Sequence, residues 1–462
     1  MLLTGLSSLW DFLSASSGHS NSYIADRDRR ISRRNLLHAS ILDCQGPELR
    51  GRSVVLMTES PLTTGVALLE LDGIAARVTI CTQELSLNSL ASVVEATAAD
   101  AIVTDLPESA SGHPGIRRIV PNIDKLVSVQ YDRDSQLETE WVVLTSGTMG
   151  PPKLLAHTLS SLIGAIDTNR AAPRDMVWGT LYDTRRFGGM QVFLRAAVAG
   201  CPLVLPSLSD STADFLERAG SAGITHISGT PSQWRRVLMS RTARCIAPGY
   251  VRLSGEAVDQ ALLNRLRETY PQARIVHAFG SSEAGTVFEV TDGADGFPVS
   301  TLRSVPGVDM KIESGTLRVR SGRTASRFLG KQVIPLKDAE GFVDTGDLIE
   351  RRGDRYFFVG RRDGRMNVGG LKVYPEEVEA VVHRHPKVSM CRVYARENPV
   401  TGSIVIADVV LKEEESAETR IAKLEQEIRQ ICHDALPAHK TPAMIRVVPS
   451  LRMSPSGKMA RD

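Results

Sequence analysis

A loop rich in hydroxyls and glycines and ending in one lysine offers the clearest chemistry in the sequence. It follows an apolar run from Trp141 to Leu144 and reads Thr145-Ser-Gly-Thr-Met-Gly-Pro-Pro-Lys153. Because glycines allow positive φ and close backbone approach, consecutive N–H groups of such a loop can converge on one anion. The hydroxyls add donors and the lysine adds charge, so the loop suits a polyphosphate. An ordinary strand-to-helix turn of small residues is the alternative that the loop alone leaves open.

This loop is not a Walker A phosphate loop, which needs Gly-Lys-Ser/Thr in direct succession. Here Pro152 precedes the lysine and Leu154 follows it. The sequence also offers no matching strand with an aspartate for Mg²⁺. A Walker-type NTPase is therefore disfavoured.

Length and composition are typical of a globular protein with about two to four domains, since the chain has 462 residues. The net charge of +2 gives no general reason to expect nucleic acid, and no window approaches the ~20 apolar residues of a membrane span. The six cysteines are scattered without a Cys-x-x-Cys pair, which argues against a disulfide framework or zinc site and fits a reducing compartment. The segment from Met1 to Leu13 has too short an apolar core for a signal peptide. We therefore expect a cytoplasmic protein.

Short β-branched runs alternate with helical stretches between Arg52 and about residue 290. This alternation predicts parallel strands with crossover helices in one large layered α/β unit. Ligands of such units lie at the carboxyl ends of the strands. Polar, glycine-bearing loops fall at three predicted strand ends: residues 145–153, Ser254-Gly-Glu256 and Phe279-Gly-Ser-Ser-Glu283. The predicted strands include 54–57, 78–80, 101–104, 202–205, 224–227, 250–253 and 274–277, and the predicted helices include 61–71, 87–98, 212–222, 231–239 and 258–270.

A different pattern begins near residue 300, where strands and turns predict a smaller β-rich module with a hairpin at Gly353-Asp354. From about Gly360 the sequence predicts a small α+β domain, with Pro375 at a first helical position and an amphipathic helix over 417–436. We predict two domains, residues 1–360 and residues 361–462.

Five segments together resemble the adenylate-forming superfamily, which includes acyl-CoA synthetases, aryl-CoA ligases, peptide-synthetase adenylation domains and luciferases. The likeness runs from about Arg52 to the C-terminus, and the segments occur in the order of the family. One segment alone would be weak evidence, whereas all of them in order are specific. The segments are residues 145–153, Ala278-Phe-Gly-Ser-Ser-Glu283, Asp344-Thr-Gly-Asp347, residues 360–378 and Ser456-Gly-Lys458.

The resemblance implies an ATP site with Mg²⁺. Glu283 would ligate the metal, and Ser282 would contact the α-phosphate in place of the usual threonine. Lys458 would bridge the substrate carboxylate and the phosphate, although a solvated tail lysine is the plainer interpretation of that residue alone. The β- and γ-phosphates would be held by Thr145, Ser146, Gly147, Thr148, Gly150 and Lys153.

The nucleoside would lie between other segments. Asp347 would accept both ribose hydroxyls, which one carboxylate can do, and Arg361 would assist at the ribose. Asp363 resembles the hinge about which the C-terminal domain swings, or, taken alone, a turn aspartate. The adenine pocket would be lined by Phe279, Gly280, Gly255 and Glu256.

The resemblance implies that residues 182–189, 228–230 and 277–280 form the acid pocket. Phe187 and its neighbouring glycines suggest an apolar or aryl group of modest size, whereas Arg185 and Arg186 could pair with a second carboxylate. The implied pocket residues are Phe187, Gly188, Gly229, Thr230, His277 and Ala278.

The sequence departs from the family at three positions: Met149 replaces a hydroxyl, Leu154 a glycine and Arg452 a proline. The phosphate loop also occurs early, so the N-terminal part is trimmed relative to typical members. These departures concern the shape of the acid pocket and the oligomer contact.

The resemblance implies an ATP-dependent carboxylic acid–thiol ligase that forms an acyl-adenylate and releases pyrophosphate, with coenzyme A or a phosphopantetheine arm as acceptor. An enzyme that loads only a carrier protein and a catalytically inactive nucleotide-binding regulator are the alternatives. The joint presence of Lys153, Glu283, Asp347 and Lys458 speaks against the inactive regulator. The expected partners are a small carboxylic acid and, in the alternative, an acyl carrier protein, with no nucleic acid and a monomeric or homodimeric protein.

Overall fold

A computed structural model of the chain describes residues 8–15, 22–43, 46–111, 113, 115–129, 137–145, 153–168, 172–330, 335–368, 371–398, 402–412, 418–454 and 456–460. Four predicted phosphate-loop residues, Ser146, Gly147, Thr148 and Gly150, lie outside the described residues, as does Met149.

The α-helices of the described residues are mostly short. Several begin at a serine or threonine N-cap, whose side-chain oxygen accepts an N–H of the first turn. The helices are α1 Leu9–Ala15, α2 Arg33–His38, α3 Pro61–Leu71, α4 Leu87–Thr97, α5 Glu108–Ser111, α6 Leu159–Ile163, α7 Phe187–Ala199, α8 Thr212–Ser221, α9 Pro231–Met239, α10 Gln260–Thr269, α11 Thr301–Ser304, α12 Pro375–Val382 and α13 Glu418–Ala435.

The β-strands are numbered in chain order. They are β1 Tyr23–Ala25, β2 Arg30–Ser32, β3 Ala39–Ser40, β4 Ser53–Leu56, β5 Arg77–Ile80, β6 Ala101–Val103, β7 Arg117–Ile119, β8 Val127–Ser128, β9 Glu140–Thr145, β10 Lys153–Thr158, β11 Trp178–Thr180, β12 Leu203–Val204, β13 His226–Gly229, β14 Tyr250–Ser254, β15 Arg274–Ser281, β16 Gly285–Val290, β17 Phe297–Pro298, β18 Val308–Glu313, β19 Thr316–Ser321, β20 Arg327–Leu329, β21 Val343–Arg352, β22 Arg355–Arg361, β23 Met366–Val368, β24 Leu371–Val373, β25 Val388–Asn398, β26 Gly402–Leu411 and β27 Met444–Val447.

The large N-terminal domain is built on two sheets, whereas the sequence predicted one layered unit. One sheet has eight strands in the order β16-β15-β14-β13-β11-β12-β1-β2, and the other has seven in the order β20-β10-β9-β5-β4-β6-β7. Residues of both sheets share one apolar core with α3 and α7. Every residue of α3 is buried, as expected of a helix enclosed on all sides. The mixed α/β fold is therefore confirmed, with its strands divided between two sheets.

Two of the three predicted strand-end loops differ from the expectation. Thr145 and Lys153 are paired positions of the antiparallel strands β9 and β10, so the phosphate loop joins a hairpin and does not lead into a helix. The strand predicted to end at His277 continues as β15 to Ser281 and turns directly into antiparallel β16. The hairpin loop and the β14 and β15 ends therefore belong to different sheets.

A five-stranded sheet, β17-β22-β21-β19-β18, forms the predicted β-rich module, and its β21–β22 hairpin turns at Gly353 and Asp354. The small C-terminal domain contains the sheet β25-β26-β27 with α12 and α13, packed around its own apolar core. Within the described part of the chain, no helix is both long and apolar enough to cross a membrane.

Candidate active site

The turn between β15 and β16 presents Ser282 and Glu283. His157 on β10 holds this turn, because its Nε2 lies 2.8 Å from the Ser282 carbonyl oxygen. Burial lowers the pKa of His157 to about 4, so the imidazole is neutral at pH 7 and Nε2 donates to the carbonyl. The Glu283 carbonyl accepts from the Ala325 N–H at 2.9 Å. Nothing in the local sequence around His157 distinguishes it from a core histidine, so the sequence offers no sign of this role.

The Glu283 carboxylate is suited to coordinate Mg²⁺. Glu283 is half-buried, and no hydrogen bond or ion pair with another described residue engages its carboxylate. No group of three or more His, Cys, Asp or Glu side chains among the described residues could hold a metal without help. Mg²⁺ suits such a site, because it takes one or two protein carboxylates and completes its shell with phosphate oxygens and water.

The predicted ribose carboxylate lies in the five-stranded sheet. Asp347 on β21 is paired with Arg361 on β22, and its backbone N–H donates to Thr345 Oγ1 at 3.2 Å. Burial raises the pKa of Asp347 to about 6, although the charges of Arg361 and Lys458 oppose this shift. A desolvated carboxylate of this kind is stabilised by incoming hydroxyl donors, which fits a ribose diol.

The loop that carries Lys458 is docked on the large domain. Thr230 Oγ1 donates to the Gly457 carbonyl at 2.6 Å, and the Met459 N–H donates to Glu256 Oε1 at 3.1 Å. Glu256 is fixed in turn by the Ser232 N–H at 2.9 Å and the Ser232 hydroxyl at 3.0 Å. Thr230 and Glu256 therefore position this loop, a role that the sequence did not reveal because the contacts span more than 200 residues.

Gly255 lies against the Lys458 side chain. Its φ of +90° is a conformation that side chains rarely adopt, and a Cβ there would lie 3.4 Å from Lys458 Cε and 3.9 Å from Nζ. Lys458 keeps solvent access, yet desolvation by the surrounding protein and the charge of Arg361 lower its pKa. The carboxylates of Glu256, Asp347 and Glu283 oppose that shift, so the lysine lies among the predicted site residues.

The predicted adenine side of the site is aromatic. Phe279 on β15 stacks on Phe358, with ring centroids 4.6 Å apart and an interplanar angle of 18°, and on Phe288 at 5.5 Å. Phe279 is half-buried, so it retains accessible surface. A Cβ on the adjacent Gly280 would lie 2.7 Å from the Gly285 carbonyl oxygen, which explains the glycine by close strand packing. The adenine contact of Phe279 stays a prediction.

The predicted acid-pocket residues separate into two faces of the eight-stranded sheet. Ala278 is buried and paired with Ser254 on β14, on the face that carries Arg252. His277 lies on the opposite face, where its Nε2 is 3.0 Å from the Ala294 carbonyl oxygen and burial lowers its pKa. The structure therefore places Ala278 on the face that carries Ser254 and Arg252, and His277 on the opposite face.

Other predicted pocket residues lie near Tyr182 or its neighbour Leu181. The Tyr182 hydroxyl lies 2.9 Å from the Ser254 carbonyl oxygen and 2.8 Å from Ser254 Oγ. A Cβ on Gly188 would contact the Tyr182 ring at 3.6 Å, and one on Gly229 would lie 2.6 Å from the Leu181 side chain. Phe187 begins α7 and is half-buried. Packing against Leu181 therefore requires glycine at 229, whereas a side chain at 188 would only reach ordinary contact with the Tyr182 ring.

Arg185 does not serve the pocket. Its guanidinium donates to Asp183 at 2.9 Å and to the carbonyls of Thr58 and Glu59 at 2.9 and 2.8 Å. Arg186 lies 3.5 Å from Glu84. The suggestion that Arg185 pairs with a second substrate carboxylate is therefore wrong, because its side chain is fully buried and occupied within the protein.

Thr145, Lys153 and the predicted hinge residue Asp363 lie within the described residues. Thr145 is half-buried at the end of β9, and Lys153 is exposed at the start of β10, with Nζ 6.0 Å from the Phe328 ring centroid. Asp363 lies in an exposed turn, Arg362–Gly364, between β22 and β23. The roles of these residues stay predictions.

Sequence comparison matches both parts of the chain. The profile of the AMP-binding enzyme family matches residues 39–322, and the profile of the AMP-binding enzyme C-terminal domain matches residues 377–458. The chain is 26% identical over 361 residues to a probable non-canonical nonribosomal peptide synthetase of Salinispora arenicola, and 26% identical over 348 residues to a p-hydroxybenzoic acid–AMP ligase of Mycobacterium tuberculosis. Each alignment covers 70% of this chain, but only 4% of the synthetase and 48% of the ligase. The chain therefore spans about half or less of these two relatives.

A third relative has a length closer to that of this chain. It is a 2-succinylbenzoate–CoA ligase of Listeria monocytogenes, 24% identical over 355 residues that cover 73% of each protein. Among solved structures, an anthranilate CoA ligase in complex with anthranoyl-AMP superposes with a TM-score of 0.80 at 19% identity, covering 98% of this chain and 95% of that one. An o-succinylbenzoate CoA synthetase from Bacillus subtilis with ATP and magnesium superposes with a TM-score of 0.73 at 18% identity, covering 98% of each chain. These likenesses establish the fold, and with the profile matches they show that the chain belongs to the AMP-binding enzyme family of the adenylate-forming superfamily.

Proposed function

We propose that the chain is an ATP-dependent carboxylic acid–thiol ligase that works through an acyl-adenylate. The observation that carries this proposal is the docked Lys458 loop. Hydrogen bonds from Thr230 and to Glu256 hold the loop, and they bring its lysine within the electrostatic influence of Asp347 and Glu283. A protein that merely bound a nucleotide would need no lysine delivered from a separate domain.

In the first half-reaction, a carboxylate oxygen of the acid attacks the α-phosphorus of ATP and the bond to pyrophosphate breaks. Two anions must meet, so catalysis consists mainly of positioning and of neutralising charge. Lys458 would contact both the acid carboxylate and the α-phosphate, and Ser282 would donate to that phosphate. Mg²⁺ held by Glu283 would neutralise phosphate charge. Thr145, Lys153 and the loop between them would hold the outer phosphates.

The nucleoside would be fixed by residues of the five-stranded module and β15. Asp347 would accept the two ribose hydroxyls, Arg361 would lie beside them, and Phe279, Gly280, Gly255 and Glu256 would border the adenine. The raised pKa of the Asp347 carboxyl supports this role, because the desolvated group gains most from two hydroxyl donors.

In the second half-reaction, a thiol attacks the carbonyl carbon of the adenylate, AMP leaves and the thiol proton is lost. The acceptor would be coenzyme A, as the name of the Listeria ligase indicates for that protein, or the phosphopantetheine arm of a carrier protein, as the peptide synthetase suggests. We propose residues 1–360 and 361–462 as the two domains, with Asp363 as the hinge about which the second domain turns.

Acid-dependent exchange of pyrophosphate into ATP tests this proposal. Fatty, aryl and dicarboxylic acids are supplied in turn, and thiol ester formation is then measured with coenzyme A or with a phosphopantetheinylated carrier protein. We expect exchange only with particular acids and transfer to one of the two thiols. ATP binding without exchange for any acid would instead support the catalytically inactive regulator.

A further inference from the structure

A basic cluster, formed by buried Arg252, half-buried Arg195 and exposed Glu289, lies beside the proposed acid pocket. Ala278 on β15 is paired with Ser254 on one side and with Glu289 on β16 on the other. Paired positions point to the same face of a sheet, as do alternate residues of one strand, so Arg252 on β14 shares this face. Arg195 approaches from α7, whose first residue is Phe187.

The lysine and this cluster lie beside successive residues at the end of β14, Gly255 and Ser254. Lys458 lies over Gly255, and the preceding residue, Ser254, accepts from an Arg252 terminal nitrogen at 3.4 Å. Arg252 Nε donates to Glu289 Oε1 at 3.0 Å. From Ser254 to Arg252 the strand advances about 7 Å, comparable with a six-membered ring that carries one substituent at each end. An acid whose reacting carboxylate met Lys458 would therefore direct its far end at this cluster.

The cluster has more donors and more positive charge than Glu289 can match. Arg252 is almost fully buried, with 4% of its side chain exposed, and Arg195 has 16% exposed. An Arg195 terminal nitrogen lies 3.6 Å from Glu289 Oε1, beyond ordinary hydrogen-bond distance. Arg195 Nε is buried without a hydrogen-bond partner among the described residues. Burial and the neighbouring charge of Arg252 lower the pKa of Arg195, as expected of a guanidinium without full compensation.

Glu289 is already occupied as an acceptor. Its Oε1 accepts from Arg252, and its Oε2 lies 3.4 Å from the Tyr250 hydroxyl. Burial alone would raise the pKa of Glu289, but the charges of Arg252 and Arg195 outweigh this effect and lower it. Two guanidiniums and one carboxylate leave a net positive charge, and Arg323 is a further cation near Arg195.

We infer that Arg195 and Arg252 bind a second carboxylate on the substrate acid, at the end remote from the reacting carboxylate. The inference rests on the proposed adenylation function and narrows its substrate class to diacids about one ring in length. Guanidinium groups suit this task, because their planar donors match a carboxylate. A ligand carboxylate would supply the acceptor that Arg195 Nε lacks and neutralise the excess charge.

Pyrophosphate exchange with matched acids tests the inference. The pairs are terephthalate with 4-methylbenzoate and adipate with hexanoate, which differ in the second carboxylate at similar length. We expect a diacid to exceed its monoacid by about tenfold or more in kcat/KM in at least one pair. Arg195→Met should remove that preference by lowering the diacid value, and Arg195→Lys should restore part of it. Arg218→Met is the control, because Arg218 is similarly buried, with 20% of its side chain exposed, but pairs with Asp210 on another surface.

The outcomes separate the two proposals. Equal or better exchange with the monoacid in both pairs, or an equal loss for both acids in Arg195→Met, overturns the diacid inference alone. If 4-aminobenzoate supports exchange and Glu289→Gln abolishes it, the cluster binds a hydrogen-bond donor of the substrate through Glu289. That result also overturns the diacid inference. ATP binding without exchange for any acid overturns the proposed function and this inference together. Thermal unfolding and ATP affinity of each variant show whether the protein is folded.

Discussion

Two contacts join the small domain to the large domain. They differ in how completely their polar and charged groups are paired with one another. At one, Arg235 of α9 pairs with Asp259 and donates from Nε to His383 Nε2 at 3.3 Å. Burial and the charge of Arg235 lower the pKa of His383 to about 3, so the histidine is a neutral acceptor. At the other, the loop with Lys458 is held by hydrogen bonds at Gly457 and Met459, while its lysine lies among three carboxylates.

The difference suggests a division of labour between the contacts. The Arg235–Asp259–His383 group closes its hydrogen bonds within the protein and needs no ligand. The Lys458 contact docks the backbone of its loop on Thr230 and Glu256, and it leaves the charge of Lys458 for something else to complete. A site that awaits an anion is expected to hold charges at some cost to stability. Changes at the Lys458 contact should then affect activity, and changes at the Arg235–Asp259–His383 contact should affect stability.

The largest effect is expected for Lys458→Ala. Loss of the charge that bridges the two reacting anions should lower the adenylation rate by about 10²- to 10³-fold, while ATP affinity changes little. Pyrophosphate exchange and equilibrium ATP binding measure the two quantities. Lys423→Ala is the control, because Lys423 lies in the same domain with 77% of its side chain exposed. An equal loss of binding and rate would contradict the assigned role.

A smaller effect is expected for Asp347→Ala, which removes the acceptor for the ribose hydroxyls. Hydrogen bonds to a charged group contribute about 1.5–3 kcal/mol, so ATP affinity should fall by about 10- to 100-fold. Asp309→Ala, at an aspartate with 65% of its side chain exposed in the same sheet, is the control for loss of charge. Unchanged affinity in titration calorimetry would exclude the ribose contact.

Thr230→Ala should slow adenylation by about fivefold through weaker docking of the lysine loop. Thr230 also caps α9, where its hydroxyl accepts from the Gln233 N–H at 3.0 Å, so stability should fall by about 1 kcal/mol. Ser211→Ala removes an equivalent cap from α8 and should cost similar stability without slowing adenylation. Equal rates for the two variants would show that the Gly457 contact does not position Lys458.

The smallest effects concern the pH dependence of stability, and they have opposite signs. The folded-state pKa of Asp347 is raised to about 6 from 3.8, so its contribution to stability falls as pH rises from about 4 to about 6. The folded-state pKa of His383 is lowered to about 3 from 6.5, so its contribution falls as pH falls from about 6.5 toward about 3. The free energy of unfolding can be measured with urea between pH 4 and 7. Asp347→Asn should remove the part that decreases with rising pH, and His383→Gln should remove the part that increases with rising pH. Slopes of the same sign would contradict the contrast between the contacts.

The predictable part of the site consists of local motifs. Glu283, Asp347 and Lys458 lie in short segments whose residue types and order mark them as candidates, so the sequence could propose them without knowing how the strands pair. The unpredictable part depends on contacts across long separations. His157 fixes a turn 125 residues away, and Thr230 meets Gly457 across 227 residues. No periodicity or local propensity encodes such pairings.

The same limit explains the errors in the fold. Alternating strands and helices have the same pattern in both large sheets, so the sequence could not divide them. The eight-stranded sheet even includes β1, which pairs with β12 about 180 residues later. The end of β15 was misplaced because Gly280 suggested a loop, whereas the structure uses that glycine where β15 packs closely against β16.

A crystal structure of the protein with ATP and Mg²⁺ tests the central claim most directly. The account predicts the ribose on Asp347, the metal on Glu283 and Lys458 Nζ within hydrogen-bond distance of the α-phosphate. Adenosine bound elsewhere, with Asp347 and Lys458 free of contact to it, would contradict the account.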